Sequence, residues 1–417
     1  MKKTIATFMA ALSFTWVVAV PSASASVNDK VAIQTGKSEL PGSMSSKDKL
    51  ILTLGCLGGG IGLGALAVFS VLRYKDSKAS DADLSHGYLL PRFESKLSDT
   101  KEAREQVIID TLKYCYRHQR LLNLKGTKSG GKFSWQSDNS ELMNYETEFS
   151  GTGNGMVTSR LAQIWLTNGK SLQSMNAVAY LLSKEGNIFD FSHTAVLNFA
   201  NFKPGGGVME GSKAQEEALC RMTTLYPNLN TNEMNKCFYY FNNITIFSRG
   251  AQRWIDLGIA RRAIYTRRVK QIKDDTNIGS VGHYVDGPVF NVITAAAPNL
   301  KQSQFLPTDD PLESYKKSAR MIFKIAYRKL DINLVLGAFG CGAFGGNPTT
   351  VARAFYEVLQ ERSPGGGIWA GEFENIILPI FDIDAQGKAN YQAFAQQFAN
   401  YEHDFGVRQR VLQLESR

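Results

Sequence analysis

The chain of 417 residues lacks the short motifs that mark several common chemistries. It has no CxxC pair and no cluster of cysteine with histidine, which argues against a zinc site. Its five cysteines, Cys56, Cys115, Cys220, Cys237 and Cys341, are scattered and odd in number, as expected of free thiols in a reducing compartment. His86, His118, His193, His283 and His403 lie far apart, so each reads as structural or solvated. No GxSxG supports Ser-His-Asp catalysis, and no GxxxxGK[ST] supports a nucleotide triphosphatase. Internal repeats are absent. Lysine and arginine exceed the acids, 47 against 38, yet they form no long basic block. The densest run, Arg261 to Lys273, reads as a solvated helix face, and no direct contact with nucleic acid is expected.

Apolar residues make up 43% of the chain and charged ones 20%, the balance of a globular protein with a substantial core. The N-terminal part departs from that average. Lys2 and Lys3 precede an apolar stretch from Thr4 to Val20, and small residues follow at Ala23 and Ala25. Residues 1–25 therefore read as a signal peptide or a first membrane span. Leu50 to Leu72 carries no charge and is long enough to cross a bilayer. Its pairs Gly55/Gly59, Gly58/Gly62 and Gly60/Gly64 have the spacing of close helix contacts in lipid, or simply make the span flexible. Arg73, Lys75 and Lys78 follow at once, which places the rest of the chain in the cytosol. The expectation is a membrane anchor and a linker over 73–98; export or a periplasmic location is the alternative.

Helical spacing appears at Val107, Ile108, Leu112, Cys115 and Tyr116, within a segment running from about Asp99 to Leu122. Residues 124–160, rich in Gly, Ser, Thr and Asn, read as loops with short strands. From Ser171 onward, helical segments alternate with short continuous apolar runs: Thr194 to Ala200, Val289 to Pro298, Leu334 to Leu336 and Asn375 to Asp382. Such runs between helices predict a sheet covered on both faces, a three-layer α/β/α domain. Ligands in these folds sit at strand ends, near helix N-termini.

Two glycine turns fall at such places. After the first predicted strand come Asn201, Pro204, Gly205, Gly206 and Gly207, with Ser212 as a predicted helix N-cap and Gln215 completing a capping box. Glycines there let an anionic ligand approach the backbone, or make a loose surface loop. Glu216 and Glu217 follow. With Ala214, Ala218, Met222 and Leu225 on the buried face, Glu217 lies nearer that face than Glu216. Burial and a like-charged neighbour raise a carboxyl pKa, as a general acid near neutral pH requires. Two solvated acids at a helix start are the other reading. The second turn, Gly337 to Gly346, leads to Asn347 and Pro348, an N-cap and a first helical residue. Phe339 and Phe344 either line a ligand or pack in the core. The spacing Gly340-x-Gly342-x-x-Gly345 fits a dinucleotide fingerprint, but the acid expected about 20 residues on is missing. That absence disfavours a dinucleotide-dependent oxidoreductase.

Gly205-Gly206-Gly207, seven residues, then Gln215-Glu216-Glu217 resembles the signature of poly(ADP-ribose) glycohydrolases, and "LVLGAFGCGAFGGNP" resembles their microbial branch. The resemblance implies a macrodomain-type domain over 99–410 with a mixed central sheet, acting on an ADP-ribose polymer or an ADP-ribosylated protein. It implies Glu217 as the catalytic acid and base, with Glu216 supporting it at the scissile ribose. Asn201, Gly205, Gly206, Gly207 and Gln215 would surround the ribose and pyrophosphate. Gly340, Cys341, Gly342, Ala343 and Phe344 would form the second phosphate loop. No cofactor and no metal are implied. Residues 227–288 read as an insertion in that core. A binding module without turnover is the alternative, and the intact Gln-Glu-Glu speaks against it.

Overall fold

The computed structural model describes residues 99–129, 132–144, 161–201, 203–239, 262–274, 283–301, 310–407 and 409–414. The expected membrane segments, 1–25 and 50–72, and the linker, 73–98, lie outside them. Among the described residues no helix is long and apolar enough to cross a membrane.

The strands are β1 (Leu124–Ser129), β2 (Lys132–Ser137), β3 (Ser140–Asn144), β4 (Gln163–Thr167), β5 (Thr194–Phe199), β6 (Arg262–Lys270), β7 (Lys273–Asp274), β8 (His283–Tyr284), β9 (Val289–Ala295), β10 (Asn333–Val335), β11 (Asn375–Pro379) and β12 (Arg410–Leu412). The longer helices are α1 (Lys101–Arg117), α2 (Ser171–Lys184), α3 (Gln215–Met222), α4 (Pro311–Arg328), α5 (Pro348–Gln360) and α6 (Ala385–Phe398). Eight strands form one sheet in the order β12-β4-β11-β10-β5-β9-β6-β3. The first six are parallel; β6 and β3 complete the sheet in antiparallel pairing.

Helices cover both faces, because the parallel strands are apolar on both. In β5, Ala195 and Leu197 pack with α4 and α5, whereas Val196 packs with α1 and α2. The mixed sheet between two helical layers agrees with the sequence expectation. The predicted N-cap at Asn347 is present: its side chain accepts from the amides of Thr349 and Thr350.

Several expectations are corrected. The run Arg261 to Lys273 is not a solvated helix face: most of it is β6, an inner strand. Ala263, Ile264, Tyr265 and Thr266 are buried in succession, as a strand covered on both sides requires. Arg267 and Arg268 reach solvent where the register with β9 shifts, and Arg268 takes a positive φ of 59°. Residues 227–288 are therefore not wholly an insertion, since they supply a sheet strand. β4 and β12 carry no alternating pattern that would have marked them, and β4 is buried from Ile164 to Thr167.

Candidate active site

β5 stops pairing with β10 at Val196, because β10 ends at Val335. The side chain of Gln215 takes over the ladder. Its Oε1 accepts from the Phe199 amide at 2.9 Å, and its Nε2 donates to the Leu197 carbonyl at 2.6 Å. This pins the first turn of α3 to the end of β5. The predicted capping box is not formed: the N-cap is Ala214, and Ser212 instead offers its carbonyl to Arg221. The predicted helix face is also corrected. Ala214 is exposed, and Glu216 and Glu217 are 1% and 4% exposed.

The first glycine turn folds back onto these acids. Gly205 and Gly206 have φ of 64° and 53°, a region that only glycine enters without strain. A Cβ on Gly206 would overlap the Glu217 carboxylate. The Gly207 amide donates to Glu217 Oε1 at 2.8 Å, and the Asn201 amide donates to Glu216 Oε2 at 2.8 Å. Asn198, on β5, donates through Nδ2 to Glu216 Oε1 at 3.3 Å. Glu217 Oε2 is buried and has no hydrogen-bond partner among the described residues. From behind, Arg104 on α1 donates to the Gly211 carbonyl at 2.6 Å and so fixes the far end of the turn.

Burial pushes the Glu216 carboxyl up to about 8, and the charge of Glu217 adds to the rise, against hydrogen bonds that favour ionisation. The upward shift falls on the acid that the sequence placed farther from the buried face. Folding thus favours a protonated Glu216, and this contribution to stability diminishes as pH rises from the unfolded value of 4.5 through about 8. Glu216→Gln should therefore gain stability relative to the parent as pH rises from about 5 to about 9. Melting curves of both proteins across that range check this, and a constant difference would contradict it.

The second turn is built differently. Gly340 and Gly345 have φ of 80° and 73°, and the Gly346 amide closes the loop on the Gly340 carbonyl at 2.9 Å. The amides of Gly342, Ala343 and Phe344 make no hydrogen bond among the described residues. They are the donors a bound anion needs. Cys341 turns inward: its thiol is buried, and desolvation pushes it up to about 12, so it is no thiolate. Phe339 is buried edge-on against Phe199, whereas Phe344 is half-buried at the cavity wall.

A cavity of about 480 Å³ lies outside the carboxyl ends of β4, β11, β10, β5 and β9. Asn201, Gln215, Glu216, Glu217, Gly340, Gly342, Ala343 and Phe344 line it; Gly205, Gly206, Gly207 and Cys341 do not. The three glycines stand against the acids rather than at the cavity surface. Sequence reasoning missed the opposite wall, where Lys170, Phe381, Asp384 and Asn390 lie. Phe381 lies at the end of the predicted strand, Asn375 to Asp382, and two residues past the observed one, so the strand-end rule was signal enough to find it. Its ring is 43% exposed, with Lys170 Nζ 5.7 Å from its centre.

Residues 100–274 match the family model of the microbial-type PARG catalytic domain, PARG being poly(ADP-ribose) glycohydrolase. Solved structures are similar to the chain, and the two from Thermomonospora curvata share its fold. Poly(ADP-ribose) glycohydrolase from Thermomonospora curvata is 23% identical, with 71% of this chain and 100% of that chain covered and a TM-score of 0.52. The same enzyme bound to the inhibitor ADP-HPD gives 24%, 71%, 100% and 0.51. Poly(ADP-ribose) glycohydrolase from Deinococcus radiodurans in complex with ADP-ribose gives 27%, 63%, 95% and 0.48. No curated protein matches the chain. The part of the chain that matches the microbial-type poly(ADP-ribose) glycohydrolase model, residues 100–274, holds the glycine turn and both acids.

Proposed function

We propose that the protein hydrolyses the O-glycosidic bond of an ADP-ribose unit in poly(ADP-ribose) or an ADP-ribosylated protein, releasing ADP-ribose. The observation that carries this reading is a pair of buried carboxylates at a cavity wall, one raised in pKa and the other with an unpartnered oxygen, facing a turn with three unpaired amides.

The pyrophosphate binds the amides of Gly342, Ala343 and Phe344. The ribose to be cleaved lies at Glu217. In the reactive form Glu217 carries its own proton on Oε2 and gives it to the leaving oxygen as the bond of that oxygen to the anomeric carbon breaks. Positive charge develops at that carbon, and the two carboxyl groups stabilise it. Water then attacks, returning its proton to Glu217. Glu216 holds the charge of the site low before the proton moves, and Asn201 and Asn198 orient it. The residues supply acid, base and charge stabilisation without calling on a cofactor.

The adenine base stacks on Phe381 at the far wall. Replacing Phe381 with alanine should weaken ADP-ribose binding about tenfold, since a base–aromatic stack contributes roughly 1–3 kcal/mol. Calorimetric titration checks this, and an unchanged Kd would remove the base from that wall.

Incubation of the full-length protein with poly(ADP-ribose), and separately with mono-ADP-ribosylated protein, tests the function. Free ADP-ribose is the expected product of at least one. Binding to both without release would make the protein a binding module. The membrane anchor is proposed on the sequence alone, from the charge-free stretch Leu50 to Leu72 and the basic residues behind it. Extraction of membranes with alkaline carbonate should leave the protein in the pellet; release into the supernatant would refute the anchor.

A further inference from the structure

Tyr315, on α4, carries a hydroxyl that makes no hydrogen bond among the described residues. The residue is 2% exposed. Leaving such a group unpaired is destabilising, and phenylalanine would fill the same space without that penalty. The hydroxyl is wedged between the two ends of the second glycine turn. A Cβ on Gly340 would lie 2.9 Å from it, and one on Gly346 would overlap it. These two glycines are the pair that closes the turn. The turn thus has three amides without acceptors in its middle and one unpaired hydroxyl at its base.

We propose that Tyr315 is a positioning residue that holds the second turn in its anion-bound form. An anion on the amides of Gly342, Ala343 and Phe344 draws the turn toward itself, and the Tyr315 hydroxyl then donates to the Gly340 carbonyl. A carbonyl oxygen has two lone pairs, so it accepts this bond and keeps the one from Gly346. The new hydrogen bond exists only with ligand present, and its energy therefore appears in binding. Tyr315 acts through the turn and does not touch the reacting atoms. The inference rests on the reading that this turn takes the pyrophosphate.

Tyr315→Phe in the full-length protein is the test, with three readouts: melting temperature without ligand, Kd for ADP-ribose, and KM and kcat on poly(ADP-ribose). The expected variant melts at or above the parent temperature, because an unpaired buried group is gone. Its Kd and KM rise about five- to tenfold, the worth of one neutral hydrogen bond, while kcat stays within about twofold. Unchanged Kd and KM would reduce Tyr315 to packing and overturn the proposal. A lower melting temperature without ligand would also overturn it, since the hydroxyl would then be paired already. Should the parent protein fail to bind ADP-ribose, the reading of the turn falls and the proposal with it. Failure in the variant comparison alone leaves that reading intact.

Discussion

Glu217→Gln is expected to lower the release of ADP-ribose by about two to four orders of magnitude, the usual contribution of a positioned acid and base, while leaving ADP-ribose binding near the parent value. The expectation follows from what each carboxyl oxygen does. Oε1 takes the Gly207 amide, and the amide oxygen of glutamine can accept that bond just as well. Oε2 has no hydrogen-bond partner among the described residues and, in the proposed mechanism, is the atom that gives and regains a proton. Glutamine keeps the first role and cannot perform the second. Both kcat and kcat/KM should fall together, because the lost interaction belongs to the transition state. Near-normal turnover by this variant would remove Glu217 from the chemistry.

Gly206→Ala is the second change with a large expected effect. At φ of 53° an alanine costs about 1–2 kcal/mol in backbone strain. More important, its Cβ would occupy space held by the Glu217 carboxylate and approach Glu216 Oε2 at 3.2 Å. The acid must move, and misplacement of a catalytic group by about 1 Å lowers rates by roughly a hundredfold. A drop in turnover of that order is expected, with a modest fall in melting temperature. ADP-ribose affinity should change little, because the pyrophosphate is assigned to the other turn. Loss of binding together with turnover would return the first turn to the ligand.

The sequence made much of this site legible, and its omissions have physical causes. Apolar runs at β5, β9, β10 and β11 announced a sheet covered on both faces, and the structure agrees. Asn347 and Pro348 announced α5 because capping is a local interaction. β6 was hidden because arginines at Arg261, Arg262, Arg267 and Arg268 dominate a run whose four inner residues decide its fate. Only partners distant in sequence, β3 and β9, make that run a strand. Gln215 looked like half of a capping box but repairs the end of a ladder, which depends on where β10 stops. The glycine signature was visible, yet its use was not. Adjacent acids and adjacent glycines could serve the same ligand or each other. Backbone direction decides this, and it turns the amides of Asn201 and Gly207 onto Glu216 and Glu217.

On the proposed reading two similar glycine turns divide the work: one holds the acids and the other receives the anion. A crystal structure of the Glu217→Gln protein with ADP-ribose tests this division most directly. The account predicts the pyrophosphate oxygens within hydrogen-bond distance of the amides of Gly342, Ala343 and Phe344, with residue 217 still bonded to the Gly207 amide and its free end at the ribose. A pyrophosphate seated on the amides of Gly205, Gly206 and Gly207, with residue 217 displaced from them, would contradict it.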